Sequence, residues 1–515
     1  LEGNIALRGF GAVNLVSKGD IRLKGALQGT DFTAQTLEGS LATGGNLTLQ
    51  ADQIYPTTLS QFSLAIKDNP AGVLSIFGGD TPSPVLSAGG KLSVSAPNIV
   101  QQGVLKAPFG EIALQAEDTL TLGDGSVTSV SADGQIIPFG KTDLSGSEYT
   151  YALGVRNLVL DAPPEKRVRL DGKTVNVTEN AVIDVSGGGD LYAYEFIPGP
   201  GGSKDVLDAA NAGDTFAILP GLTSGFAPYD HQYYLGNKGI KPGDSVYLSG
   251  VEGLPAGVYS LMPARYGLLP GAFLVKPVSG YQDMSAGQQV RQPDGTMIVS
   301  GYRASATLDG SLVQDARTSG FAVRPGAAAR AQSEYLDTRA SELFANQEGV
   351  QLPGDAGSLS IAAIQSLTLD GALKGDHAAG RNGAAVDITA ARLAVVGAGA
   401  DLSGLEGFMQ LDVSRLNRLG AASLLLGGTR SPTEKGVEVR VSAQQVVVAN
   451  TPDSALSGPE ILLVATDEVK VKAGSVVEGK GAYSGTPKDI TIGFKITDTN
   501  NDSIIDKADT NYGDR

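Results

Sequence analysis

Short stretches in which apolar and polar residues alternate recur along the chain and are separated by glycine-rich joints. The clearest form starts with Gly, continues with apolar residues at alternate positions and ends in Ala, as in Gly45-Asn-Leu-Thr-Leu-Gln-Ala51, Gly90-Lys-Leu-Ser-Val-Ser-Ala96 and Gly110-Glu-Ile-Ala-Leu-Gln-Ala116. The second and third copies start 20 residues apart. Because side chains alternate between the two faces of a strand, each copy predicts a short strand with one buried face.

The same alternation marks further strands, bounded by Asp-Gly, Gly-Gly, Ser-Gly and Lys-Gly steps at which glycine can turn the chain. Their apolar positions are Ile21/Leu23, Val175/Val177, Leu359/Ile361, Leu367/Leu369, Met409/Leu411/Val413, Val437/Val439/Val441 and Val469/Val471. A β-sandwich also has alternating strands, but its strands need not be near copies of one another. We therefore predict an all-β fold, a right-handed parallel β-helix (solenoid) with an inserted β-rich extra-helical module and one short helix.

The repeat pattern stops near residue 190, and residues 191–327 differ in composition. Of the 30 Phe and Tyr residues, 14 lie between positions 192 and 302, so this stretch can build a core of its own. Alternating segments at 244–248 and 257–261, with a Pro-Gly turn at 242–243, predict strands. We expect a module inserted between two β-helix segments, 1–190 and 349–482.

Residues 328–348 predict the one helix of the chain. Strong helix formers surround Tyr335, Leu336, Leu343 and Phe344, which recur at helical spacing. We expect this helix to lead the chain back to the repeat structure. Residues 483–515 then form a terminal segment.

Composition narrows the function classes. The chain has a formal net charge of -16, two histidines and no cysteine. The surplus of carboxylates leaves no basic face for phosphates, so no nucleic-acid partner is expected. No apolar run approaches the ~20 residues of a membrane helix, so no membrane-spanning segment is predicted. The sequence starts within the repeat pattern, from which we expect a fragment of a longer protein.

The Gly-x-Leu-x-Leu-x-Ala phrases resemble the repeats of the filamentous haemagglutinin family of two-partner secretion exoproteins. Residues 255–273, which read Pro-Ala-Gly-Val-Tyr-Ser-Leu-Met-Pro-Ala-Arg-Tyr-Gly-Leu-Leu-Pro-Gly-Ala-Phe, resemble a block found in large haemagglutinin-family proteins of Gram-negative bacteria. The resemblance implies export by an outer-membrane two-partner-secretion transporter. It also implies a secreted protein of the bacterial surface or extracellular matrix, an adhesin for attachment, cell-cell aggregation or biofilm structure.

A candidate calcium loop lies near the end of the chain, at Asp498-Thr-Asn-Asn-Asp-Ser-Ile-Ile-Asp-Lys-Ala-Asp509. Its spacing matches a loop with side-chain oxygens at positions 1, 3, 5, 9 and 12 and a main-chain carbonyl at position 7. Ser503 replaces the usual glycine, and the last ligand is Asp where Glu is usual. A solvated turn is the alternative, and calcium is the only cofactor expected. The predicted metal ligands are Asp498, Asn500, Asp502, Ile504, Asp506 and Asp509.

Tyr229, Tyr233 and Tyr234 are candidates for stacking on sugar rings, with a role in the core of the module as the alternative. We predict that the protein is not an enzyme, because two histidines in different segments offer no triad and the carboxylates are scattered at turns. The expected ligand is an exopolysaccharide or other glycan, a protein, or a second copy of the chain.

Two other functions stay open. A polysaccharide-degrading β-helix enzyme would need Asp and Arg residues clustered across adjacent coils. A passive stalk of a contact-dependent toxin would need no binding surface at all.

Overall fold

The chain forms a mostly β structure in which long parallel sheets dominate, which confirms the all-β prediction. The computed structural model describes residues 1–30, 35–80, 82–143, 145–155, 157–222, 240–306, 312–347, 349–433, 436–483, 485 and 489–493.

The strands fall into three groups along the chain. The first is β1 (Asn4–Leu7), β2 (Ala12–Val16), β3 (Ile21–Leu23), β4 (Ala26–Gln28), β5 (Thr36–Thr43), β6 (Asn46–Ala51), β7 (Ile54–Pro56), β8 (Ser60–Ile66), β9 (Val73–Gly78), β10 (Lys91–Gln102), β11 (Val104–Lys106), β12 (Glu111–Leu122), β13 (Val127–Ser129), β14 (Ile136–Thr142), β15 (Tyr149–Ala152), β16 (Asn157–Leu160), β17 (Arg167–Val177) and β18 (Val182–Asp184). The second is β19 (Asp190–Ile197), β20 (Phe216–Ile218), β21 (Ser245–Leu248), β22 (Gly257–Ser260), β23 (Met262–Pro263), β24 (Phe273–Gln282), β25 (Gln289–Arg291), β26 (Met297–Ala306), β27 (Leu312–Gln314), β28 (Ser319–Pro325) and β29 (Glu334–Arg339). The third is β30 (Ser358–Leu369), β31 (Ala372–Lys374), β32 (Ala385–Thr389), β33 (Arg392–Val396), β34 (Met409–Asp412), β35 (Ser423–Leu426), β36 (Gly428–Thr433), β37 (Gly436–Val441), β38 (Gln445–Ala449), β39 (Leu456–Gly458), β40 (Glu460–Leu463), β41 (Glu468–Val471), β42 (Val477–Gly479) and β43 (Asp489–Gly493).

Helices are short. Among the described residues they are α1 (Gly326–Gln332), α2 (Ala340–Leu343), α3 (Val413–Arg418) and two 3₁₀ turns, Ala264–Leu268 and Pro452–Ser454.

Parallel strands stack in three columns. The first column has the order β1, β5, β8, β10, β12, β17, β30, β32, β35, β40, and the second contains β2, β6 and β9 followed by the second half of β10. The second halves of β12, β17 and β30 continue this second column. The third has the order β3, β7, β11, β13, β18, β31. Since strand order in each column follows the order along the chain, successive passages of the chain lie on one another in layers.

The repeated phrases at 90 and 110 stack on each other in register. Leu92 lies opposite Ile112, and Val94 lies opposite Leu114, in the parallel pair β10 and β12. The phrase at 45 is displaced into the second column, where β6 pairs with β2 and β9. The near copies at 90 and 110 therefore lie in successive layers, whereas β9 separates the copy at 45 from β10.

The glycines that open the phrases at 45 and 110 are required by close approach of the neighbouring layer. A Cβ on Gly110 would lie 2.0 Å from the main-chain oxygen of Gly90, and a Cβ on Gly45 would lie 2.3 Å from that of Phe10. Neither glycine has a positive φ. Its role here is thus to leave space for a backbone atom rather than to turn the chain.

Apolar ladders between the columns form the main core. One ladder in the first column has at most 5% exposure at any rung and consists of Leu92, Ile112, Val168, Leu359, Val386 and Leu424. Each fully buried aliphatic side chain contributes about 1.5–3 kcal/mol relative to the exposed state. The ladder also fixes the register, because a slip by one residue would turn these side chains outward.

The chain leaves the columns and later returns at the next layer. Val168 of β17 pairs directly with Leu359 of β30, and β18 pairs with β31, so the residues between β18 and β30 are an insertion between adjacent layers. This insertion contains two strands, β19 and β29, of an additional sheet ordered β16-β15-β14-β19-β29, and the described strands of a second one ordered β22-β21-β26-β28-β24-β20-β23. Each of these sheets packs against a core of its own. The first of them also takes in residues 136–160, which precede β17 in a stretch that the repeat pattern assigns to the β-helix.

The prediction of one helix over residues 328–348 is wrong. Within the described residues, α1 ends at Gln332, and β29 separates it from the four-residue α2. β29 pairs antiparallel with β19, and the Tyr335 ring packs against Tyr194 at 5.6 Å between ring centroids. An available strand edge and aromatic contacts outweigh helix propensity here, because propensity is a weak local preference.

Candidate functional site

The residues that the sequence nominates for ligands lie outside the described part of the chain. These are the candidate calcium ligands Asp498, Asn500, Asp502, Ile504, Asp506 and Asp509, together with Tyr229, Tyr233 and Tyr234. Calcium binding and sugar stacking by these residues therefore stay predictions.

A polar cleft of about 650 Å³ lies on the outer face of the first column. Its floor is formed by outward positions of β30 and β32, where Ser358, Ser360, Ala362 and Ala385 are half-buried. These side chains are small, whereas the adjacent β17 presents the long side chains of Arg167 and Arg169. The difference in side-chain size along one row of the sheet creates the depression.

The opposite wall is the β36–β37 hairpin with β43. Arg430 and Arg440 of the hairpin line the cleft, and Tyr483 lines it too, with 40% of its surface exposed. Behind this wall a small core forms around Leu425, Val439, Val441 and Val464. Leu425 occupies an outward position of β35, and it is fully buried because the hairpin covers it. This apolar contact holds the hairpin in place beside the floor of the cleft.

A hydrogen-bonded ion pair connects the hairpin to the floor. Arg430 Nη1 donates to Asp387 Oδ1 at 2.6 Å, and the Arg430 main-chain N–H donates to Asp387 Oδ2 at 2.7 Å. Arg430 Nη2 also donates to Ser423 Oγ at 2.6 Å, and the Ser423 hydroxyl donates to Glu460. Asp387, Ser423 and Glu460 belong to three consecutive strands of the first column. Acidic groups and an arginine are therefore clustered across adjacent layers.

Two ionisable groups on the floor and the hairpin wall of the cleft have shifted pKa values. Burial raises the pKa of Asp387, and the Arg430 charge opposes this rise. Burial also raises the pKa of the Tyr483 hydroxyl, and the negative charge of Glu460 adds to that effect. Near neutral pH the Tyr483 hydroxyl is thus a neutral group that can donate a hydrogen bond.

One end of the cleft is closed by the segment that returns the chain from the insertion. Lys166 is buried there, and its Nζ donates to the main-chain oxygens of Pro353 at 2.8 Å and Asp355 at 2.5 Å. The Asp355 carboxylate accepts hydrogen bonds from the main-chain N–H groups of Leu352 and Asn382, both at 2.7 Å. This network holds the return segment against the stacked columns.

Most charges on the remaining walls are compensated locally. Arg167 pairs with Glu165, and Arg169 pairs with Asp171, each at 2.7 Å. The described lining contains five cationic and five anionic side chains. The cleft is thus close to neutral, although the whole chain has a formal net charge of -16.

Within the described residues, no group of three or more Asp, Glu, His or Cys side chains is arranged to hold a metal ion. Among the same residues, no helix combines the length and apolar character needed to span a bilayer.

Sequence reasoning missed this cleft. Arg430 stands 43 positions after Asp387, and only the strand register brings them together. The available signal was weak: Asp387 is a carboxylate flanked by Val386 and Ile388 in an alternating strand, where it takes an outward position. That pattern alone is also typical of a solvated surface residue.

Comparisons with known proteins do not assign this chain to a family. No protein-family model matches it, and searches of curated proteins and of solved structures find no match.

Proposed function

We propose that this chain is part of a secreted bacterial adhesin, a rigid right-handed parallel β-helix that binds polysaccharide in the polar cleft and does not degrade it. The observation that carries the proposal is a preformed cleft on a continuously hydrogen-bonded sheet. Stacked parallel strands with a buried apolar ladder suit a rigid spacer, since each layer packs only on its neighbours. A rod that presents many such sites at a surface gains avidity without high affinity at any one of them.

The cleft has the features that a polyhydroxylated ligand requires. Its floor offers the Ser358 and Ser360 hydroxyls, which can both donate and accept hydrogen bonds. Its wall adds the exposed Arg440 guanidinium and the ring of Tyr483, an apolar face with a polar tip. Small floor residues leave room for a chain of sugar rings to lie across the strands.

A polysaccharide-degrading enzyme is the second candidate, and the Asp387, Glu460 and Arg430 cluster favours it. Hydrolysis of glycosidic bonds commonly uses two carboxyl groups that flank the bond to be broken. Here, however, both oxygens of Asp387 accept hydrogen bonds from Arg430, and Glu460 accepts one from Ser423. A carboxylate engaged in this way is poorly placed to exchange a proton with a substrate. The network serves better as the anchor of the hairpin.

A binding assay on immobilised polysaccharides tests the proposal, with the same mixtures assayed for shortened or unsaturated products. Saturable binding without product supports the adhesin. Product formation that D387N or E460Q abolishes supports the enzyme instead. No binding to any polysaccharide would contradict the proposed function.

A further inference from the structure

We infer that the cleft takes a neutral polysaccharide rather than one that carries carboxylates or sulfates, an inference that rests on the proposed function. The basis is the pairing of charges in the cleft and the composition of its floor.

Most of the cationic side chains that line the cleft are already paired with carboxylates. A site for a polyanion needs several cationic groups that are free to face the ligand. Here Arg167, Arg169 and Arg430 are each paired with a carboxylate, and Lys166 is buried against main-chain oxygens. Only Arg440 among these lining cations has its guanidinium exposed without such a pairing in the described structure. One cation is enough to hydrogen-bond a hydroxyl pair, but it does not offset a charge on every sugar.

Long-range electrostatics point in the same direction. The formal net charge of -16 disfavours the approach of a polyanion, most strongly at low ionic strength. A neutral chain meets no such barrier. Its binding should therefore depend little on salt concentration.

The floor also favours uncharged rings. Ser358 and Ser360 alternate with buried Leu359 and Ile361, and Ala362 and Ala385 present methyl groups beside the hydroxyls. A sugar ring likewise presents hydroxyls at its edge and C–H groups on its face. Burying a carboxylate over this floor would cost free energy, because the four floor residues described above are uncharged and supply no cation to pair with it.

The experiment compares neutral probes (dextran, mannan and a β-1,3-glucan) with anionic probes (alginate, polygalacturonate and heparin) by calorimetry on the full chain. S360W fills the cleft floor. S93W is the matched control, because Ser93 occupies the same outward row of the sheet, three strands away from Ser360. Ser93 lies opposite Ala113, Ala113 lies opposite Arg169, and Arg169 lies opposite Ser360. Circular dichroism and thermal unfolding confirm that both variants are folded.

We expect a neutral probe to bind with an affinity that changes less than about twofold between about 50 and 500 mM salt. Anionic probes should bind at least about tenfold more weakly. S360W should abolish binding, and S93W should not affect it. Tighter binding of an anionic probe, lost in S360W, would overturn the inference while leaving the proposed function in place. Binding that S360W does not alter, or no binding to any probe, would overturn both the inference and the assignment of the cleft as the site.

Discussion

The main-chain N–H and the guanidinium of Arg430 donate to different oxygens of the same carboxylate, that of Asp387. The side chains are 13% and 7% exposed, respectively, so the pair is shielded from water. We expect R430M to destabilise the hairpin by about 3–5 kcal/mol, because it leaves a buried carboxylate without its cation. Limited proteolysis near residues 428–441 measures this opening. The double variant D387N/R430M should recover much of the loss, and failure to do so would show that the charge is not the cause.

Lys166 predicts an unusual pH dependence of stability. Burial lowers the pKa of Lys166 from 10.5 to about 8 in the folded chain. Between these two values the unfolded chain keeps a proton that the folded chain has released, so stability should rise with pH in this window. The free energy of unfolding of the wild type relative to K166M should increase by up to about 1.4 kcal/mol per pH unit from pH 8 towards pH 10. Denaturant titrations at several pH values test this, and a constant difference would refute it.

Because only inward side chains belong to the buried ladder, substitutions at an inward and an outward position of the same strand should differ in their effect on the free energy of unfolding. Leu359 of β30 is fully buried, whereas Ile364 of the same strand is 71% exposed. L359A should lower the free energy of unfolding by about 2–5 kcal/mol, since it removes buried methyl groups and leaves a cavity. I364A should change it by less than about 0.5 kcal/mol. Equal effects in chemical denaturation would mean that the strand register is different from the one described.

Replacing Gly110, which opens the phrase at 110, should destabilise the protein through a steric clash. G110A places a methyl group 2.0 Å from the Gly90 oxygen, so the layers must separate locally. We expect a loss of about 1–3 kcal/mol, as for other overpacked positions. G479A is the control, because nothing lies within 4 Å of the Cβ that it adds. Thermal unfolding of the two variants should therefore differ, and a neutral G110A would contradict the close approach.

Substitutions of Tyr483 test how much its ring contributes to polysaccharide binding. Y483A should weaken polysaccharide binding by about three- to tenfold through loss of a ring face. Y483F keeps the ring and should bind within about twofold of the wild type. Calorimetry separates these cases. Unchanged affinity in Y483A would remove Tyr483 from the site.

The layered fold was predictable from residues that are close in sequence. The phrases at 90 and 110 carry their own alternation, and their inward residues do stack in register. The helix at 328–348 was mispredicted because the partner of β29 is β19, more than 130 residues earlier, and no local pattern reports such a pairing. Leu336, which the helical spacing placed on an apolar face, is 44% exposed.

The cleft was not predictable for the same physical reason. Its floor is defined by small side chains on β30 and β32, and its wall by a hairpin that begins at Gly428. Such a depression depends on which residues stand side by side in neighbouring layers. That information is in the register of the strands and not in any single segment.

Hydroxyl-radical footprinting of the chain with and without a bound polysaccharide tests the central claim most directly. The ring of Tyr483 lines the cleft, whereas the stacked pair Tyr247 and Tyr302 lies on the inserted module. We predict that the ligand slows oxidation of Tyr483 by at least about twofold and leaves Tyr247 and Tyr302 unchanged, with no shortening of the polysaccharide. Protection of the module instead of Tyr483, or cleavage of the ligand, would contradict a binding cleft on the outer face of the columns.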